Sequence, residues 1–214
     1  MLAYCEFRAT PAVPKHAQLL ISYRGTTLSD AVKDINKLSN NVMARHLYLT
    51  LAVEKGLLPA STADSFQIVQ EWLKKNQLPM PELVIENGSG LSNIERISAE
   101  HLSQLLTKAV KSPTADYFIH SLPIAGIDGT MKHRLSDRLK KVFSSTKSNE
   151  KVFTPDPSMP LKLQQPGVLM KTGSLSQVRS IAGYVISKSG QVYALTSIIN
   201  HPMAPSGGPV HDAL

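Results

Sequence analysis

A chain of 214 residues with 42 % hydrophobic and 18 % charged side chains has the material for one well-buried core, which excludes a disordered polymer. Its net charge of +7 comes from scattered basic residues, clustered only at Lys74-Lys75 and across Lys132 to Lys141 without interleaved aromatics, an argument against nucleic acid as a partner. The single cysteine, Cys5, excludes an intramolecular disulfide; the seven histidines show no metal-ligand spacing; nothing calls for a cofactor; and no stretch reads as a signal peptide or transmembrane segment.

Residues 1 to 25 are mixed, with Tyr4 to Phe7 a short strand and Pro11 and Pro14 breaking any regular pattern. A helix starts near Thr27, whose hydroxyl can cap it with Asp30 as the acidic partner, and carries Leu28, Ala31, Val32 and Ile35 on one stripe. It ends near Ser39-Asn40-Asn41. A second helix from about Asn41 to Lys55 is apolar almost all round (Val42, Leu47, Leu49, Leu51, Val53), which predicts burial in the centre of the fold. Gly56 stops it. Ser61 or Thr62 opens a third helix running to about Lys75, closed off by Pro79 and Pro81.

Leu83 to Ile85 reads as a short strand entering the turn Asn87-Gly88-Ser89-Gly90. Ser98 begins a helix through Val110, and Ser112-Pro113-Thr114 starts another toward His120. Pro123, Gly126 and Gly129 mark an irregular stretch in which Asp128 fixes the turn before Gly129. Residues 136–165 are polar and then Pro-rich, a surface insertion or mobile loop. Three strands follow, Val168 to Thr172, Ile181 to Ser187 and Val192 to Ile199, the last two joined by a hairpin at Lys188 to Gln191. Helices first and an antiparallel meander last define an α+β fold, a helical cluster packed on an antiparallel sheet.

Two short motifs stand out, Ser39-Asn40-Asn41 and Lys171-Thr172-Gly173. Each alone is ambiguous: the first is also a polar helix cap, the second also a strand end followed by a turn. In this order they make two thirds of the site of a serine acyl-transfer enzyme of the Ser-x-x-Lys class. In such a site Ser39 relays a proton between the lysine of that motif and the leaving group. Asn41 holds the substrate backbone, and Lys171 supplies positive charge near a terminal carboxylate. Thr172 donates to that carboxylate, Gly173 leaves room for a peptide to lie along the strand, and the Ser174 N–H is a candidate oxyanion donor. No Ser-x-x-Lys precedes Ser39. The strings Ser144 to Lys147 and Ser148 to Lys151 fall in the polar insertion and match by composition.

The wider text resembles one family. Ile35 to Asn41 with Ala44-Arg45-His46-Leu47, Asn87-Gly88-Ser89-Gly90-Leu91-Ser92, Leu122 to Thr130, and Lys171 to Leu175 with Ala182-Gly183-Tyr184 are similar to four blocks of the D-Ala-D-Ala carboxypeptidase/endopeptidases, the low-molecular-mass class C penicillin-binding proteins. The resemblance covers about Leu28 to Ile199. It implies a single partial penicillin-binding transpeptidase/β-lactamase-like domain over residues 1–214. It also implies a periplasmic or cell-wall serine peptidase acting on peptidoglycan stem peptides and acylated by β-lactams. In that family Ser-x-x-Lys lies upstream of Ser-x-Asn, so this chain is expected to be the inactive C-terminal segment of such an enzyme. The alternative is a non-catalytic protein that binds peptidoglycan peptides or a partner. A chain without the first strands and the nucleophile helix should expose apolar surface on its long helix and self-associate, as a homodimer or an aggregate.

Overall fold

The computed structural model describes residues 16–18, 20–22, 25–135 and 166–214. Tyr4 to Phe7, Cys5 and the segment 136–165, with Ser144 and Ser148, lie outside the described residues. Among the described residues six α-helices and three strands form the fold. The helices are α1 (Leu28–Leu38), α2 (Asn41–Glu54), α3 (Thr62–Lys75), α4 (Ala99–Ala109), α5 (Ala115–Ser121) and α6 (Gly208–Ala213). The strands are β1 (Gly167–Leu175), β2 (Val178–Ile186) and β3 (Val192–Asn200). They pair in the order β1-β2-β3, antiparallel throughout.

Local chemistry sets the helix starts. Thr27, Ser61 and Ser98 each accept a hydrogen bond from the backbone N–H three residues on, at Asp30, Asp64 and His101. Thr27 and Ser61 also donate to the carboxylates of Asp30 and Asp64. These short polar side chains satisfy donors that the first helical turn leaves open. Gly56 lies at positive φ just past α2, as do Gly88 and Gly90 in the predicted turn.

The sheet has a core on each face because strand side chains alternate. On one face Leu169, Tyr184 and Ile186 pack against Leu106 of α4 and Ala115 and Ile119 of α5. On the other, Val168, Met170 and Ile181 pack against Ala125 and Met131. Tyr184 is fully buried and its hydroxyl donates to the Leu106 carbonyl at 2.8 Å, tying β2 to α4. Tyr184→Phe should therefore cost about 1 kcal/mol, the worth of one such bond, and Tyr184→Ala about 3–5 kcal/mol by emptying a ring-sized volume. Urea unfolding of both variants measures the difference.

Two expectations are corrected. The second helix is not central: only Tyr48 and Ala52 of α2 are buried, and Val42 is 66 % exposed. Its apolar pattern reports what the helix can bury, and among the described residues α3 is its main neighbour. Leu83 to Ile85 is no strand; the ladder there consists of a single bridge between Val84 and Arg96, since the turn that follows diverges at once. The three predicted strands are each present and run longer than expected, with Lys171 to Ser174 inside β1.

Candidate active site

Ser39 sits in the two-residue joint, Ser39-Asn40, between α1 and α2. It closes α1 in the left-handed conformation, φ 53° and ψ 47°, its N–H bonded to the Ile35 carbonyl. Asn40 then caps α2, accepting from Met43 N–H at 3.1 Å. Asn40 is thus a helix cap, while the Ser39 side chain faces the sheet. A non-glycine residue in that region costs about 1–2 kcal/mol, a strain the fold accepts at this joint.

Across from it, alternation along β1 places Lys171 on the same face as Leu169, toward α4 and α5. Its ammonium donates to Ser39 Oγ at 2.5 Å and to the Thr172 carbonyl at 2.6 Å. Residues 132 apart in sequence thus meet. Burial pushes the Lys171 ammonium below the ordinary lysine value, because half-removal from water disfavours its charged form.

The pair opens onto a cavity of about 880 Å³ that Asn41, Thr172, Gly173 and Ser174 also line. Lys171 is the one charged residue among the described residues of that lining, so its field is unopposed by any carboxylate there. Thr172 faces the opposite side of the strand and donates to Thr130 Oγ1 at 3.0 Å. Gly173 faces Ser180, whose Oγ would lie 2.4 Å from an added Cβ.

On the outer edge of β1, Met170 N–H donates to the Pro123 carbonyl and Ala125 N–H to the Val168 carbonyl, both at 2.9 Å. Both backbone groups of a residue in an antiparallel ladder point the same way. The Ser174 N–H, four residues after Met170, therefore faces outward as well, where a donor to substrate would have to face. One wall of the cavity is apolar, with Leu105, Leu106, Ala109, Phe118 and Ala182.

Sequence reasoning missed two site neighbours. Thr130 belongs to one of the resembling blocks, but nothing in the pattern linked it to Thr172. Lys37 stands two residues before Ser39 in another of those blocks, and no sequence pattern assigned it a role; its side chain is only 11 % exposed.

The profile of the D-Ala-D-Ala carboxypeptidase 3 (S13) family matches residues 9–151, more than half of the chain. The chain belongs to that family. D-alanyl-D-alanine carboxypeptidase DacB of Haemophilus influenzae is 26 % identical over 193 residues, covering 89 % of this chain and 35 % of that protein. A D-alanyl-D-alanine carboxypeptidase of Actinomadura sp. is 27 % identical over 211 residues, 95 % of this chain and 34 % of that one. The crystal structure of penicillin binding protein 4 from Haemophilus influenzae, in complex with a β-lactam, superposes with a TM-score of 0.62 at 25 % identity, over 80 % of this chain and 34 % of that chain. This S13 chain thus spans about a third of the length of the curated relatives it matches. The α+β reading and the family resemblance both stand. At family level the activity is that of a serine-type D-Ala-D-Ala carboxypeptidase.

Proposed function

We propose that this chain is the C-terminal part of a serine D-Ala-D-Ala carboxypeptidase/endopeptidase that acts on peptidoglycan stem peptides and is acylated by β-lactams. The observation that carries this reading is the Lys171–Ser39 contact in the lining of a cavity where, among the described residues, Lys171 is the only charge. The family match and the relatives' names supply the substrate class.

In the complete enzyme a serine from a Ser-x-x-Lys motif attacks the carbonyl of the D-Ala-D-Ala amide. The C–N bond breaks, the leaving D-alanine takes a proton, and water later hydrolyses the acyl-enzyme. Ser39 relays that proton, with Asn41 orienting the substrate amide. Lys171 attracts the terminal carboxylate, aided by the Thr172 hydroxyl. Gly173 admits the peptide beside β1, and the Ser174 N–H faces the developing oxyanion. The apolar wall of the cavity suits the face of a helix bearing the nucleophile. We place such an enzyme in the periplasm or at the cell wall, where its polymer is; among the described residues no helix is long and apolar enough to cross a membrane.

Incubation with a β-lactam followed by intact-mass measurement tests the reading. The chain alone should gain no adduct, whereas a protein extended upstream through a Ser-x-x-Lys should gain one. Light scattering on the same samples should show self-association of the short chain only, through surface that includes Leu38 and Val42, each more than 60 % exposed. An adduct on the short chain at Ser39, Ser144 or Ser148 would overturn the assignment of the nucleophile. A tight peptide complex with no acylation of either form would favour the non-catalytic reading.

A further inference from the structure

The contact between Ser39 and Lys171 joins the end of a helix to the middle of a strand, and neither element touches the other through a backbone ladder. Something must hold their separation. The candidates are the groups that span from α1 to β1, and one chain of contacts does so without a gap.

It begins two residues before Ser39. The Lys37 ammonium is bound by both Asp128 oxygens, at 2.7 and 2.6 Å, and by the Leu122 carbonyl at 2.6 Å. Asp128 Oδ1 in turn accepts from the Ile124 N–H at 2.8 Å. Ile124 bridges Leu169, and its neighbours Pro123 and Ala125 bond Met170 and Val168 of β1. Lys171 is the next residue along that strand.

The rest of the joint is shaped around this path. Gly129 lies at φ +56°, and an added Cβ would stand 2.8 Å from the Lys37 carbonyl, so only glycine lets the loop close on α1. Asn36 Nδ2 donates to Ser121 Oγ at 2.6 Å, fastening the same turn of α1 to α5. Thr130, two residues past Asp128, reaches Thr172. The ammonium of Lys37 has exchanged water for three oxygens of one loop. A charge held in that way fixes a position more sharply than apolar contact does, since its partners cannot slide without leaving it unpaired.

We infer that Lys37 and Asp128 are positioning residues, a charged joint that sets the distance between Ser39 and Lys171. This rests on the reading of Ser39 and Lys171 as one site, but its test does not depend on acylation. The two can fail separately: the β-lactam experiment judges the site, and the state of the Lys171 amine judges the joint.

The experiment follows the Lys171 amine of the 214-residue chain by NMR of ¹³C-labelled lysine through a pH titration. The variants are Lys37→Met and Asp128→Asn. Lys37→Met is the gentler change, because the Asp128 side chain is 38 % exposed and keeps the Ile124 N–H. If the joint loosens, water reaches Lys171 and its titration midpoint should rise toward the ordinary lysine value. Ser61→Ala is the control, removing the cap of α3 and leaving this path intact. It lowers stability without touching the joint, so the Lys171 midpoint should stay put. An unchanged midpoint in folded Lys37→Met, or an equal shift in Ser61→Ala, would overturn the inference.

Discussion

Lys171→Met is expected to slow acylation and stabilise the fold in the same stroke. In a protein extended to include its nucleophile, β-lactam acylation should slow by about 10²–10⁴-fold, the range lost with a positioned proton-transfer or electrostatic group. Stopped-flow or mass-resolved acylation rates measure it. Meanwhile the thermal midpoint of the variant should exceed that of the parent chain at neutral pH. The sign follows from linkage. Burial holds the folded-state value of Lys171 below the unfolded 10.5. The charged form is thus penalised by folding, fully so below the folded value, and the penalty fades as pH rises toward 10.5. The stabilisation gained by methionine should accordingly shrink between neutral pH and that value. A variant less stable than its parent at pH 7, or equally fast in acylation, would separate Lys171 from the role assigned to it.

The second large effect is structural. At Gly183 of β2, an added Cβ would stand 2.0 Å from the Leu169 carbonyl oxygen and 2.8 Å from Met170 Cα. Those are backbone atoms of the neighbouring strand, so no rotamer change relieves the clash. Gly183→Ala should push β1 from β2 at the step just before Lys171, at a cost of about 3 kcal/mol or more. Domains hold only about 5–15 kcal/mol in total, so a sharp fall in the urea midpoint and in soluble yield is expected. Gly173→Ala offers the contrast, because its obstruction is a serine hydroxyl that can rotate away. Equal losses at the two positions would contradict this account of β1–β2 packing.

Much of this was readable from the chain. Thr27, Ser61 and Ser98 announce their helices because a cap is local chemistry, decided within four residues. The three strands are legible for a similar reason: each is a short, strand-like run rich in apolar residues, and a turn stands between the last two. The motif residues were legible as types, yet their meeting was not, since a contact between positions 39 and 171 depends on how the intervening elements pack.

The failures have physical causes as well. α2 looked central because its sequence is apolar on every side, but a pattern does not name the surface that covers it. Leu83 to Ile85 has strand-like residues and, among the described residues, no partner strand beyond Arg96. The pairing of Lys37 with Asp128 was opaque for another reason. Asp128 was legible as the residue that fixes the turn before Gly129, but nothing local joins two charges 91 apart in sequence until the fold brings them together.

The segment at 123–125 has one more consequence. It occupies the outer edge of β1 alongside Val168 to Met170, and among the described residues nothing pairs with that edge from Thr172 to Leu175. Four residues of strand extend roughly 13 Å. A peptide docked there would meet an end-stop at Pro123–Ala125 and could not slide farther along the strand. Such a berth would measure a chain from its tip, so under the proposed function it would select the last few residues of a polymer's side branch over a stretch in the middle of one.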